Sequence, residues 1–457
     1  APTNTPEPTA TPTPDPRPPD QQVQVPDVAS YYHLEISSVN VDTGEVRASE
    51  VVEIREFRGE RPDLLYFQVL PAAYGFFTLD AAWLAGVEVA PEAINGGYTL
   101  VMPLPADLAT PFEIGFDFRL SVGYEGSGWG GTARDGEVLR LGYWFPVISD
   151  DHGFSETMDP SYTRVADGFD VRVNHDPDVV IAHTGTVVAR EPLDDGRVRT
   201  VMQASGVRDF AMTLARGYQV DTGVSANGVT IELYSLASSE ARLSDADAAA
   251  RRGSIIAWAA NAVEQLSSLV GPYPYDTLRL ADAGPSMPGG VEFPQLIYIN
   301  PNYAPLDRLI YHETAHMWFY GIIGNRTLLD GWIDEGGAEF FERGLPTGFT
   351  ERPAVPSGGY LYWLDSSYLE LPPVPRSAWY YAIYEQGANF YYDVLETMGW
   401  DPFWAAMQDI YANHAFGIVT PWDMLTTWQR YSSVDLRPLY QEYFRYVWID
   451  AISGPGE

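Results

Sequence analysis

The sequence predicts an α+β protein in which an N-terminal all-β domain precedes a mostly helical one. Three observations carry this. Short runs of alternating apolar and polar residues recur from about Val28 to Ser235, the periodicity turns helical after about Ser238, and residues 1–26 carry almost nothing to bury. A chain of 457 residues suits two globular domains plus extras.

In chain order, residues 1–26 (APTNTPEPTATPTPDPRPPDQQVQVP) are rich in Pro and Thr and read as an extended spacer. Stalks of this composition hold bacterial surface proteins away from an anchor. The expectation is therefore an extracytoplasmic protein, secreted or tethered to a cell surface through this linker. Residues 27–237 form the β domain, on runs such as YYHLEIS, GEVRASEVVEIREF, FEIGFDFRLSVGY and GVTIELYSL, separated by Gly, Pro, Asn and Asp. Residues 238–457 form the second domain. It opens with Ala, Leu and Ile at helical spacing from Ser244 to Val270, behind a Ser-Asp-Ala-Asp cap. Two short strand candidates, TLRLADA and QLIYIN, follow, and helices dominate from there on.

Composition narrows the function. Against 62 acidic side chains stand 27 basic ones, a formal charge of −35 spread along the chain, which repels phosphate backbones and anionic lipid. Nucleic acid is excluded as a partner. No run of eighteen apolar residues is available to insert the folded body into a membrane. With no cysteine, any metal site must use His and carboxylate. Nothing in the sequence sets an oligomeric state.

LDRLIYHETAHMWFY supplies such a site. His312 and His316 lie four apart in a segment able to form a helix, which puts both imidazoles on one face, and Glu313 projects beside them. With eighteen residues separating it from His316, Glu335 in WIDEGGAEFFERG offers an acidic third ligand. Two His and one Glu leave a tetrahedral zinc one open position for water, the arrangement of a hydrolytic site with one zinc per chain. Glu339 and Glu342 follow Glu335 at helical spacing, where either can accept a hydrogen bond from a ligating imidazole. The other histidines, His33, His152, His175, His183 and His414, show no ligand spacing. The GSGWGG patch lacks the lysine and helix of a phosphate loop and reads as a turn.

HETAHMWF, the gap of eighteen and WIDEGGAEF resemble the gluzincin zinc aminopeptidases, the aminopeptidase N and leukotriene hydrolase group, whose pattern is H-E-x-x-H-x(18)-E within W-L-N-E-G. Asp334 replaces the usual Asn, and Tyr320 a common Gly, while Trp318-Phe319 and Gly324-Asn325 match family pairs. The resemblance implies a β saddle-like domain packed on a thermolysin-like catalytic domain. The chain ends soon after DLRPLYQEYFRYVWID, which is similar to the end of that catalytic domain, so the C-terminal helical domain of the family is expected to be absent.

The resemblance also implies roles. PSMPGGVEFPQLIYIN looks like the G-x-M-E-N loop, with Gly289 and Gly290 retained and Glu292 where a carboxylate grips the substrate's α-amino group. Val291 stands for Met and Phe293 for Asn. Glu137, nine residues before the Pro of YWFP, is an alternate anchor. YYAIYEQGANFYY is similar to the Y-E-K-G segment, which makes Tyr384 the oxyanion donor, with Tyr380 and Tyr381 as nearby substitutes. Of the two acids after Glu335, the Glu342-Arg343 pair lines up better with the family's acidic position. The implied activity is removal of N-terminal residues from peptides. Two alternatives stay open at this point: a zinc endopeptidase of the same fold, and an inactive surface-tethered binding or scaffold protein.

Overall fold

A computed structural model describes residues 23–124, 131–151, 162–355, 363–366 and 376–455. Most of the spacer, His152 and nearly all of GSGWGG lie outside these. The last spacer residues are docked: Val25 is buried, its carbonyl accepting from Arg164 Nε at 3.0 Å.

The N-terminal half is β, as its alternation predicts. Eight strands make one large sheet in the order Thr186–Pro192, Val198–Ala204, Gly168–His175, Val28–Asn40, Glu45–Phe57, Phe112–Ser121, Phe77–Leu84, Val87–Val89. Only the Val28–Asn40 and Gly168–His175 pair is parallel. Alternate residues Tyr32, Leu34 and Ile36 face the core, paired across the strands with Val52, Glu50 and Ala48. Two four-stranded sheets complete this half. One of them holds the hairpin of Thr132–Asp135 and Val138–Leu141 that turns towards the second domain.

The second half is built on a five-stranded sheet in the order Gln219–Val224, Thr230–Ser235, Thr277–Asp282, Leu296–Ile299, Gly290–Phe293. The first two strands, which the sequence pattern assigns to the β domain, therefore complete the sheet of the second half. Their alternation is the same as that of the preceding strands, and only the long-range parallel pairing of Thr230–Ser235 with Thr277–Asp282 reveals their allegiance. The helices are α1 (Ala237–Glu240), α2 (Asp245–Leu269), α3 (Leu306–Ala315), α4 (Thr327–Asp330), α5 (Glu335–Thr347), α6 (Arg376–Tyr381), α7 (Gly387–Met398), α8 (Trp400–His414), α9 (Pro421–Tyr431) and α10 (Arg437–Tyr443). Ser244 caps α2, its side chain accepting from Asp247 N, and Ile255, Ala259, Val263 and Leu266 form the buried stripe that packs on the sheet and α3. Among the described residues no helix is long and apolar enough to cross a membrane.

The β half buries an acid with consequences for stability. Asp209 is 1% exposed; Oδ1 accepts from Phe210 N at 2.6 Å, while Oδ2 is buried without a hydrogen-bond partner. Burial pushes its carboxyl up to about 7 from an ordinary value of 3.8. A raised carboxyl stabilises the fold fully below the unfolded value and loses that contribution as pH climbs through the folded one. The window is thus about pH 4 to 7, and the full swing is on the order of 2–4 kcal/mol. Asp209→Asn keeps the shape without the proton. In urea titrations its stability relative to the parent is expected to rise between pH 5 and pH 8. A difference that stays constant across that range contradicts this account.

Candidate metal centre

Leu309 and Ile310 anchor α3 in the core, and the four-residue spacing then sets the imidazoles of His312 and His316 side by side, Nε2 to Nε2 at 3.2 Å. Glu335 opens α5. Asp334 caps that helix: Oδ1 accepts from Glu335 N at 3.0 Å and Oδ2 pairs with Thr327 Oγ1, so the acid found in place of the usual Asn still performs the cap. This delivers Glu335 Oε2 to 3.2 Å from His316 Nε2 and 3.4 Å from His312 Nε2.

The three atoms form a triangle with edges of 3.2, 3.2 and 3.4 Å. A tetrahedral zinc with ligands at about 2.0–2.1 Å has ligand–ligand edges of about 3.3–3.4 Å. Glu335 Oε2 is buried and makes no aligned hydrogen bond with its neighbours, which leaves it available as a ligand beside the two imidazoles. The triad fits a zinc site.

Its electrostatics favour a cation. Burial alone would lower both imidazoles, yet Glu335 and Glu342 around His312 hold it well above the usual range, and Glu292 and Glu335 raise His316 to about 10. Burial likewise works to raise Glu335, but the two imidazoles hold it far below the ordinary carboxylate range. Glu313 is buried beside them with Oε2 unpartnered. Burial pushes it up to about 7, the imidazoles opposing and Glu335 and Glu342 reinforcing. Gly290 lies against it so closely that a Cβ there would come within 2.6 Å of the Glu313 carboxylate, which explains a glycine at this position.

Of the two acids further along α5, Glu342 is the nearer to His312: its Oε2 lies 3.2 Å from His312 Nδ1, close enough for an ion pair but without an aligned hydrogen bond. Glu339 stands off at 3.9 Å and takes Arg343 Nε at 2.8 Å. His316 Nδ1 faces Phe319 O at 3.1 Å.

The remaining predicted residues are brought in from both sides. Glu292, on the Gly290–Phe293 strand, lines the cleft with Gly289 and Gly290 and has Oε1 3.7 Å from His316 Nδ1. Val291 and Phe293 are buried. Phe293 packs into the space left by the missing Cβ of Gly142, with Tyr143 at 4.9 Å between ring centroids, so this departure from the motif wedges the loop against the β domain. Tyr384 lies in a π-helical turn, Ala382–Gln386, with its ring parallel to that of His312 at 5.9 Å, in the same cleft. Tyr380 and Tyr381 do not line the cleft.

Glu137 needs correction. It is exposed beside the hairpin turn, accepts from Ser238 Oγ and is absent from the cleft. The hairpin reaches the loop before Glu292 through Asp135 instead, whose Oδ2 accepts from Ser286 N at 2.9 Å. Among the described histidines outside the site, His33 meets Glu53, His175 meets Thr200, and His183 meets Thr184 O, with burial driving His183 down to about 3. Sequence reading missed Arg308, which lines the cleft one turn before His312. Its i−4 spacing from the first ligand was the available signal.

No protein-family model matches the chain. Curated relatives include leukotriene A-4 hydrolase of Xenopus laevis, 35% identical over 80 residues (16% of this chain, 13% of that one). Aminopeptidase B of Homo sapiens is 33% identical over 84 residues (17% and 13%). A leukotriene A-4 hydrolase homolog of Botryotinia fuckeliana is 26% identical over 205 residues (40% and 30%). The matches span 13% to 30% of the length of these relatives. Among solved structures, an M1 zinc metallopeptidase from Deinococcus radiodurans aligns with a TM-score of 0.64 at 15% identity over 88% of this chain and 90% of that one. A variant of it bound to a Tyr-Ser-Ala substrate aligns with a TM-score of 0.65 at 15% identity, over 94% and 95%. The two-domain α+β fold is that of the M1 zinc metallopeptidases, and the resemblance to the gluzincin aminopeptidases extends from the motifs to the fold.

Proposed function

We propose that this chain is a zinc aminopeptidase that removes N-terminal residues from peptides. The observation that carries the reading is the sharing of one cleft by the ligand triad, Glu313 and Glu292. A zinc ion held by His312, His316 and Glu335 would supply Lewis-acid polarisation of the scissile carbonyl and make water acidic enough to ionise near neutral pH.

The chain's own residues supply the rest. Glu313 takes the proton of the attacking water and returns it to the leaving amine, a task suited to a carboxyl whose affinity for protons is raised by burial. Tyr384 donates its phenol proton to the oxygen on which negative charge develops. Glu342 keeps His312 in the tautomer that turns Nε2 to the metal. Glu292 holds the protonated α-amine through a charge-assisted hydrogen bond and so fixes cleavage at the first peptide bond.

The test pairs a peptide with its N-acetylated twin, with zinc content measured alongside. About one zinc per chain is expected, with cleavage of the free peptide alone and loss of that cleavage on chelation. Equal cleavage of both peptides would mean an endopeptidase, and zinc-loaded protein inert to both would mean a binding protein.

A further inference from the structure

Along α3 the cleft is polarised. Glu292 lies at the His316 end. Arg308 lies at the other end, one turn before His312, and eight residues place it about 12 Å along the helix axis from His316. The catalytic atoms sit between them. Five carboxylates line this cleft, Glu292, Glu313, Glu335, Glu339 and Glu342, and among the described lining residues Arg308 is the only Lys or Arg. Its side chain is 33% exposed. It pairs with Glu351, Nη2 to Oε2 at 3.1 Å, and that acid is itself 57% exposed. Such a pair is held weakly and exchanges readily for another carboxylate. The guanidinium has five donors in a planar fork, enough to take a second carboxylate in bidentate fashion.

We infer that Arg308 is a specificity-determining residue that receives a carboxylate on the leaving-group side of the scissile bond. This rests on the aminopeptidase reading for direction: with the α-amine at Glu292 and the scissile carbonyl beside His312 and His316, the second residue extends towards Arg308. The carboxylate has two possible sources, the C-terminus of a dipeptide or the side chain of an acidic second residue. Without Arg308 an anionic leaving segment would meet only the acidic wall. With it, the enzyme cleaves short, free-acid or acid-containing peptides preferentially although its own charge is −35.

The experiment compares Ala-Ala with Ala-Ala-amide, and Ala-Glu-Ala-amide with Ala-Gln-Ala-amide, as ratios of kcat/KM. The same ratios are read as Kd on zinc-loaded Glu313→Gln protein, in which peptides bind uncleaved. A preference of about tenfold for the carboxylate member of at least one pair is expected, the size of a partly exposed charge-assisted hydrogen bond. Which pair shows it identifies the source. Arg308→Met should bring the ratio to about one or below, Arg308→Lys should retain part of it, and Glu351→Ala, by removing the competitor, should increase it. A ratio near one in the parent protein, or one that survives Arg308→Met, overturns the inference. Acetylated twins run alongside keep the two readings separate. If they are cleaved as well as free peptides, the aminopeptidase reading fails while the carboxylate preference is still read from the binding ratios.

Discussion

Glu313→Gln should cost about three to four orders of magnitude in kcat while the protein keeps its full complement of zinc. The substitution is nearly isosteric, so the close approach of Gly290 and the buried position of the side chain are preserved. What changes is the chemistry: an amide can neither take a proton from water nor hand one to the departing amine. Glu313 is not one of the three converging ligand atoms, whose triangle is closed by His312, His316 and Glu335 alone. The variant thus separates metal binding from turnover. Zinc by elemental analysis and single-turnover rates on a free-amine peptide give the two readouts. A variant within tenfold of the parent rate would remove Glu313 from the mechanism. Loss of zinc together with activity would recast it as a structural support of the site.

The metal centre was legible in the sequence because its constraint is local. Two imidazoles on one helical face require a four-residue spacing, and Glu335 follows within a single short excursion of chain. Non-local pairing was not legible. Gln219–Val224 and Thr230–Ser235 alternate like the strands before them, and only their partner Thr277–Asp282 assigns them to the catalytic half. Counting residues to an acid also fails on a hairpin: Asp135 points inward to Ser286, while Glu137, just past the turn at Gly136, faces solvent. Of the two acids at helical spacing on α5, the one two turns on, Glu342, meets His312, because Arg343 draws Glu339 aside. Tyr320, where the family commonly has Gly, indeed sits at φ 110°, a conformation glycine adopts without cost, and its ring is retained under the guanidinium of Arg208 at 5.8 Å.

That guanidinium carries the largest expected effect on stability. Arg208 is 1% exposed and spends its donors on main-chain carbonyls from three separate stretches of chain: Thr163 at 2.6 Å, Gly321 at 3.3 Å, Ile322 at 3.5 Å and Gly417 at 3.0 Å. Burial lowers its pKa to about 10, so it stays charged at neutral pH. The carbonyls at 321 and 322 belong to the turn that follows the metal helix, in which Gly321 N returns to His316 O at 2.9 Å. Gly324 is glycine because a Cβ would lie 2.5 Å from Arg208 Nη1. Arg208→Met fills much of the volume but leaves several buried carbonyls unsatisfied, at an expected cost of about 3–5 kcal/mol. Arg208→Lys should recover only part of it, since an ammonium cannot span all these acceptors. Urea titration measures the loss. Hydrogen exchange locates it, with protection expected to fall first at the amides of residues 320–324 and only later in the Thr277–Asp282 strand. If Arg208→Met unfolds at the parent's urea concentration, the turn is held by the packing of Trp318 and Phe319, and the second half keeps its metal helix without help from the β domain.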